Sequence, residues 1–174
     1  MIQIIGNRRP VVYAGSMACQ NVSTCRSCYQ CHAQGQGIIR EACPSVVAAF
    51  DQSRVTRMCH RGKILFRQGE RSRGMYCVDS GRIKLYRTSA DGDVQIVRLA
   101  GPGDVLGHRS LLTGSPMAAT AEVLSEAVVC FVDGDTVLRA LNADTKVCFN
   151  MMVHLAEALG VAESRLLGLG RMSA

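Results

Sequence analysis

Short runs of β-branched and apolar residues alternate with glycine-containing turns from about Arg57 to Asp133. The runs cover residues 63–66, 75–78, 82–86, 94–97, 120–124 and 127–132. The Asp91-Gly92 dipeptide between two of these runs is a typical hairpin turn. Many short strands at this spacing are typical of an antiparallel barrel, roll or sandwich. The central part of the chain is therefore predicted to be an all-β unit.

Helical periodicity flanks this β region on both sides. Apolar residues recur at helical intervals between Gly37 and Phe50, and Pro44 is predicted to begin this helix because proline favours the first helical turn. After the β region, the pattern predicts a short helix over residues 135–141 and a long helix over residues 145–169.

The long helix has the pattern of a two-stranded coiled coil, with apolar positions at alternating spacings of four and three residues. These seam positions are Cys148, Met152, Leu155, Leu159, Ala162, Leu166 and Leu169. The sequence thus predicts a homodimer through residues 145–169, in which Cys148 is a packing residue. The predicted division of the chain is a cysteine-rich segment with a short helix (1–50), an all-β domain with a short helix (51–141) and a long helix (142–174).

The composition favours one self-supporting domain without disulfides. A chain of 174 residues that is 48% hydrophobic can fill a proper core. The apolar run at the N-terminus is too short for a signal peptide or a membrane span, so we expect a cytoplasmic protein that does not bind membranes. Residues 1–74 carry eleven Lys and Arg against three Asp and Glu. These charges are scattered along the sequence, so they do not by themselves indicate a nucleic-acid partner.

Five of the nine cysteines lie in the polar segment between residues 19 and 43. Cys25, Cys28 and Cys31 form a C-x2-C-x2-C run, a spacing that lets three thiolates converge on one inorganic centre. Zinc sites also use C-x2-C pairs, so the spacing alone predicts a metal–thiolate site without naming the metal. A disulfide scaffold is not expected, because the count is odd and cytoplasmic thiols stay reduced.

This order of elements resembles the sensory half of CRP/FNR-family bacterial transcription regulators, over roughly residues 57–172. The motifs that carry the resemblance are Gly62-Lys-Ile-Leu-Phe66 with Gly69-Glu70, then Ser80-Gly81-Arg-Ile-Lys-Leu-Tyr86, and Gly103-Asp-Val-Leu-Gly107. The last motif is similar to the turn that opens the family's ligand cassette. The resemblance implies a mainly β fold with α, a double-stranded antiparallel β-roll (a cyclic-nucleotide-binding-like jelly roll) followed by a long dimerisation helix.

The chain departs from the cyclic-nucleotide binders of that family at the residues that hold the ligand. His108 stands at the position of the glutamate that binds the ribose, and Ala118-Ala119 stand near the Arg-Ser pair that binds the phosphate. Without the bidentate guanidinium, a buried phosphate would lack its partner. We therefore expect no binding of cAMP or cGMP, and we expect His108 and Arg109 to make local turn hydrogen bonds.

The chain instead resembles the oxygen-sensing FNR branch, which holds a [4Fe–4S] cluster with three N-terminal cysteines and one cysteine on a late strand. Cys130 stands at the position of that remote ligand. The resemblance implies that four of five cysteines ligate the cluster: Cys25, Cys28, Cys31, Cys43 and Cys130. The first choice is Cys25, Cys28, Cys31 and Cys130, with Cys43 a close alternative to Cys31. Cys19 is then spare, and Cys59 and Cys77 are expected to be packing residues.

The expected function is that of an oxygen or redox sensor, in which cluster loss alters the packing of the dimer helix. The branch carries an acid in the helix seam where this chain has Ala162, so we expect the dimer to depend less on the cluster. The chain ends at Ala174 without a helix-turn-helix, so DNA binding is expected only if a longer parent chain supplies one.

Three rival interpretations remain. The same fold could hold zinc, or a clusterless member of the family could bind a small molecule or haem, with His32, His60 or His154 as possible haem ligands. An enzyme is not expected, because the sequence has no nucleophile–base arrangement, no phosphate-binding glycine loop and no paired carboxylates on a shared face.

Overall fold

A computed structural model describes residues 20–21, 27–28 and 37–170, with side chains described for residues 27–28 and 37–164. The described elements, in chain order, are β1 (Gln20–Asn21), α1 (Pro44–Ser53), β2 (Val55–Cys59), β3 (Ile64–Phe66), β4 (Gly74–Ser80), β5 (Ile83–Thr88), β6 (Val94–Ala100), β7 (Val105–Leu106), α2 (His108–Thr113), β8 (Thr120–Val123), β9 (Ala127–Asp133), α3 (Gly134–Ala143) and α4 (Thr145–Gly170).

The strands form two antiparallel sheets that face each other. The first sheet has the order β1-β2-β9-β4-β7, and the second has the order β3-β8-β5-β6. Their inner faces enclose one core of buried side chains: Cys59, Phe66, Val78, Ile83, Ala100, Leu106, Met117, Ala121, Val123, Ala127 and Val129. The predicted double-stranded roll followed by a long helix is therefore confirmed.

A second core covers the outer face of the five-stranded sheet. Helices α1, α3 and α4 pack there around a core of buried residues: Ile38, Val46, Phe50, Met75, Val105, Val132, Val137, Ala140, Val147 and Met151. The three that come from strands, Met75, Val105 and Val132, point away from the first core. On β9, Val129 points into the roll while Val132 points towards the helices. Because β9 is buried on both faces, its sequence is almost uniformly apolar.

The predicted elements are present with small shifts in their ends. All six predicted strands form, and Pro44 occupies the first turn of α1 as expected. The Asp91-Gly92 turn joins β5 to β6, where Gly92 adopts a φ of +91° and its N–H donates to the Ser89 carbonyl oxygen over 3.1 Å. A left-handed φ of this kind favours glycine because a Cβ would be strained.

Four elements were not predicted from the sequence. They are the strands β1, β2 and β7 and the six-residue helix α2. Strand β2 contains Arg57 at its centre, and β1 and β7 have two residues each, so neither hydrophobic alternation nor length indicates them.

The long helix α4 is partly buried against its own domain and partly exposed. Val147 and Met151 lie in the second core, whereas the side chains of Met152 and Leu159 are 54% and 60% exposed. Two of the predicted seam positions are therefore open on the surface of this single chain. The helix is confirmed, and the homodimer stays a prediction.

Asp144, between α3 and α4, ties the beginning of α1 to the beginning of α4. One carboxylate oxygen accepts the Cys43 N–H over 2.6 Å, and the other accepts the Lys146 N–H over 2.8 Å. The hydrogen bond from the Cys43 N–H is the main reason why the pKa of Asp144 lies below its usual value. Farther along α4, the Asn150 amide donates to the Arg40 carbonyl oxygen over 2.7 Å. The chain that leads into α1 is thus held on α4.

Among the helices in the described part of the chain, none is both long enough and apolar enough to cross a membrane.

Candidate functional site

Cys130 lies on the helix-facing side of β9, outside the core of the roll. Its neighbours in register are Thr56 on β2 and Cys77 on β4, and the side chains of such directly opposed residues share one face of a sheet. The Cys130 Sγ lies 3.3 Å from the Thr56 hydroxyl oxygen, and the residue is only 7% exposed. This position directs the thiol towards α1 and the chain that precedes it.

The structure brings Cys28 to the same place. Its backbone N–H donates to the Asp51 Oδ1 over 2.8 Å, so the last turns of α1 anchor this part of the chain. The Cys28 side chain is half-buried and packs against the second core. Asp51 is paired with Arg54, whose Nη1 approaches the Cys130 Sγ. One predicted N-terminal ligand and the predicted remote ligand therefore lie on either side of the same ion pair.

Burial controls the protonation of Cys28. It raises the pKa of this thiol to about 12, against the opposing effect of the Arg54 charge, while Asp51 and Cys130 raise it further. Cys28 is therefore a neutral thiol at neutral pH in the absence of a cation. A bound metal ion deprotonates a coordinating thiol, so a metal would reverse this state.

Arg54 connects the carboxylate of Asp51 to the sulfur of Cys130. Its Nε donates to Asp51 over 2.9 Å, and its Nη1 donates to the Thr56 hydroxyl over 3.2 Å and lies 3.9 Å from the Cys130 Sγ. Burial would raise the pKa of Asp51, but the Cys28 N–H and the Arg54 charge together lower it. The pair thus remains ionised and places positive charge beside the Cys130 sulfur.

The remaining predicted ligands are not assembled with this pair. Cys25 and Cys31, like Cys19, lie outside the described residues. Cys43 is exposed at the beginning of α1, with its Sγ 3.3 Å from the Ser45 hydroxyl. It precedes Asp51 by eight residues, which is about 12 Å along a helix. Within the described side chains, no group of three His, Cys, Asp or Glu residues can hold a metal ion.

Two cysteines that were expected only to pack have additional features. Cys77 is half-buried and stands directly opposite Cys130, a relation that the sequence does not reveal because it depends on strand register. Cys59 is fully buried in the core of the roll, as expected of a packing residue, but it is disulfide-bonded. The packing role of Cys59 was expected, but its disulfide bond was not predicted from the sequence; Cys28, Cys43, Cys77, Cys130 and Cys148 are free thiols.

A separate cavity of about 600 Å³ lies between the roll and α4. His108 from α2 and His154 from α4 meet in its wall, edge to face, with ring centroids 5.2 Å apart. The local turn hydrogen bonds expected of His108 and Arg109 stay a prediction. The Nδ1 of His108 and the Nε2 of His154 are buried and make no hydrogen bond with any described residue.

Both imidazoles are held neutral. Burial, followed by the charges of His154 and Arg98, lowers the pKa of His108 to about 4. Burial also lowers the pKa of His154. Each ring is therefore a neutral hydrogen-bonding group at pH 7, with one nitrogen unpaired within the described part of the chain.

Charged side chains also line the cavity, namely Arg87, Arg98, Arg109, Asp104 and Glu157. Ala118 and Ala119 line its wall and offer no side chain that could pair with a phosphate. The Arg98 guanidinium also lines the cavity, but it forms an ion pair with Asp104. The cavity therefore combines apolar walls, two neutral imidazoles, the paired Arg98 and two further arginines, Arg87 and Arg109.

Comparison with known proteins shows which family and which relatives the chain resembles. Residues 44–144 match the family described as "Cyclic nucleotide-binding domain". The "Cyclic AMP receptor protein" of Thermus thermophilus is 29% identical over 110 residues, which cover 63% of this chain and 51% of that protein. The "Fumarate and nitrate reduction regulatory protein" of Vibrio cholerae is 34% identical over 70 residues, or 40% of this chain and 28% of that protein.

A solved structure gives the same fold. The catabolite activator protein of Thermus thermophilus superimposes with a TM-score of 0.65 and 26% identity, covering 76% of this chain and 62% of the other. The chain spans about half the length of the cyclic AMP receptor protein that it matches.

The depressed pKa of His108 predicts a pH-dependent stability. The folded pKa of about 4 lies below the ordinary value of 6.5, so the unfolded state binds more protons between these values. Stability is complete above pH 6.5 and is lost as the pH falls towards 4, by about 2 kcal/mol between pH 7.5 and pH 5. Urea unfolding should show this loss in the native chain and a smaller loss in His108→Gln. His60→Gln, at an exposed histidine, is the control, and an equal loss in all three proteins would refute the assignment.

Proposed function

Because this chain belongs to the cyclic nucleotide-binding domain family, with relatives among CRP- and FNR-type transcription regulators, we propose that it is the sensory domain of such a regulator and senses oxygen or redox state through a [4Fe–4S] cluster. The observation that carries the proposal is that Cys28 and Cys130, two thiols from distant parts of the sequence, lie beside the same Asp51–Arg54 ion pair at the outer face of the five-stranded sheet. We place the protein in the cytoplasm, because the free thiols of Cys28 and Cys130 could serve as metal ligands there.

The chemistry of the donors fits a thiolate-ligated metal centre. Cys28 and Cys130 supply two sulfurs, and Cys25 and Cys31 each stand three residues from Cys28 in the sequence. A cluster held by four thiolates carries net negative charge, which the Arg54 guanidinium beside Cys130 would offset. When bound, an iron–sulfur cluster supplies a centre that oxidants destroy. Zinc in the same thiolates is the alternative.

Hydrogen bonds connect the site to the long helix. Asp51 holds Cys28 at one end of α1, and Asp144 holds the Cys43 backbone at the other end, where α4 begins. A change at Cys28 and Cys130 therefore acts on α1 from its last turn, and α1 packs in the same core as Val147 and Met151 of α4. Such a chain of packed elements can convert local chemistry into a new helix arrangement.

We propose that α4 is the dimer interface. Met152 and Leu159, two positions of the predicted seam, are more than half exposed in the single chain, and Phe149 beside them is 58% exposed. A second α4 would remove these apolar surfaces from water. Because the seam contains Ala162 in place of an acid, the dimer should persist when the cluster is lost. Binding to DNA is proposed only for a longer chain that carries a helix-turn-helix.

A response to a small molecule in the cavity is a second candidate function. The unpaired nitrogens of His108 and His154 favour it, since buried polar atoms normally have partners. We propose that this molecule is not a cyclic nucleotide, because alanines at positions 118 and 119 stand near the place of the Arg-Ser pair that holds the phosphate in the family's nucleotide binders, while Arg87 and Arg109 come from other parts of the cavity wall.

The cluster proposal predicts the iron content of single variants. Chain produced and purified without oxygen should contain about four irons and four sulfides and absorb near ~400 nm. Cys28→Ser and Cys130→Ser should each lose most of the iron, because each removes one thiolate. Cys148→Ser is the matched control on α4 and should keep it. Cys43→Ser should also keep it, since Cys43 lies at the far end of α1.

Metal and sulfide analysis of the same preparation distinguishes an iron–sulfur cluster from bound zinc. A colourless protein with stoichiometric zinc and no sulfide would replace the cluster with the zinc alternative. Full iron retention by Cys130→Ser would contradict the proposal itself.

The dimer proposal predicts that two matched substitutions on α4 have different effects on the oligomeric state. Leu159→Glu should shift the sedimentation coefficient to that of a monomer, because it introduces like charges into the seam. Val161→Glu changes a residue that is 52% exposed on the same helix but off the seam, and it should leave the dimer intact. The unmodified chain should sediment as a dimer both without oxygen and after aeration. A complete change to monomer on aeration would mean that the cluster controls the dimer.

The cavity proposal predicts that cAMP and cGMP do not bind at physiological concentrations. Isothermal titration of the full chain should give no saturable heat with either nucleotide up to about 1 mM, an affinity limit of about −4 kcal/mol. Saturable binding below that concentration, lost in His108→Gln, would assign a cyclic nucleotide to the cavity.

A further inference from the structure

We propose that Cys77 and Cys130 are a redox-active dithiol that closes to a disulfide when no metal occupies Cys130. The pair itself is independent of the proposed function. Its regulatory meaning rests on that function, because a cluster would compete with Cys77 for the Cys130 sulfur.

Strand register carries the geometric argument. Cys77 on β4 and Cys130 on β9 are direct antiparallel partners, and the pairs on either side, Tyr76 with Phe131 and Val78 with Val129, hold this register. Directly opposed residues of antiparallel strands have Cα atoms about 4.5–5.5 Å apart. Disulfides span Cα separations of about 4.4–6.8 Å. The sheet thus holds the two cysteines at a bridging distance.

The two side chains also share one environment. Both point to the helix-facing side of the five-stranded sheet, where Cys77 packs against the second core. Cys77 is half-buried, whereas Cys130 is 7% exposed. A small oxidant that enters this side therefore reaches Cys77 first, and Cys130 is the neighbouring thiol that can resolve the product.

Formation of the disulfide requires a two-electron oxidant, and the oxidant in this proposal is hydrogen peroxide. The Cys77 sulfur, as its thiolate, attacks a peroxide oxygen, and the O–O bond breaks to give a sulfenic acid and one water. The Cys130 sulfur then attacks the Cys77 sulfur, the S–S bond forms, and the hydroxyl leaves as a second water. Two thiols lose two electrons and two protons in total, and one peroxide becomes two waters.

The disulfide prevents metal binding at Cys130. A Cys130 sulfur bonded to Cys77 cannot ligate a metal, so the oxidised chain must be reduced before the site can be refilled. The dithiol would also protect Cys130 from irreversible oxidation beyond the sulfenic acid while the site is empty.

The test uses the full chain, freed of metal by a chelator and reduced without oxygen. Treatment with a small excess of hydrogen peroxide, alkylation of the remaining thiols and mass spectrometry of the digest should identify a peptide pair that joins Cys77 to Cys130. The linkage should be absent in Cys77→Ser and in Cys130→Ser, and it should persist in Cys148→Ser. Cys77→Ala, checked by circular dichroism, replaces the serine variant if that variant is unfolded.

A second measurement separates a dithiol partner from a metal ligand. If Cys77 acts as proposed, chain carrying Cys77→Ser and prepared without oxygen should bind iron and sulfide as the unmodified chain does, while Cys130→Ser should not. After loss of that iron and exposure to peroxide, the unmodified chain should reload poorly until a reductant is added, whereas Cys77→Ser should reload at once.

Three results overturn the proposal. They are the absence of a Cys77–Cys130 peptide pair, a linkage of Cys130 to a different cysteine in its place, and the loss of iron from a folded Cys77→Ser variant. If the linkage forms but no preparation binds iron, the dithiol stands and the cluster proposal fails.

Discussion

Burial of β9 on both faces governs the arrangement of the whole molecule. Val129 packs inside the roll and Val132 packs under the helices, so this strand joins the two cores. It also pairs with β2 on one side and β4 on the other, which fixes it in all directions. A side chain on such a strand has little freedom, and the Cys130 thiol is therefore held at one place on the outer face of the sheet.

Charged side chains at the two ends of α1 connect this helix to the sheet and to α4. Asp51 and Arg54 at the last turn hold Cys28 and approach the Cys130 sulfur, while Asp144 holds the Cys43 backbone at the first turn. Each of these carboxylates accepts backbone N–H groups, and both have lowered pKa values, so they remain charged well into the acid range. Helix α1 is thus fastened to the cysteine pair at one end and to α4 at the other.

The cavity under α4 keeps the shape of a ligand site while its polar groups differ from those of a nucleotide binder. His108 and His154 contribute neutral imidazoles, and the charge of Arg98 is paired with Asp104. Arg87 and Arg109 also line the cavity, whereas positions 118 and 119 in its wall are alanines. The fold is shared with the cyclic AMP receptor protein, but binding chemistry resides in a few side chains and has to be judged from them.

Elements with local signals follow from the amino-acid sequence alone. The strands of the roll follow from alternation and glycine turns, the start of α1 follows from Pro44, and the length of α4 follows from its apolar repeat. The C-x2-C-x2-C run likewise indicates metal–thiolate chemistry through its spacing. By contrast, three relations among the cysteines come from the folded arrangement: Cys28 and Cys130 lie beside the same Asp51–Arg54 pair, Cys43 stands at the other end of α1, and Cys77 faces Cys130 across two strands. Those relations depend on which strands pair and in which register, and register is set by packing between residues far apart in the chain.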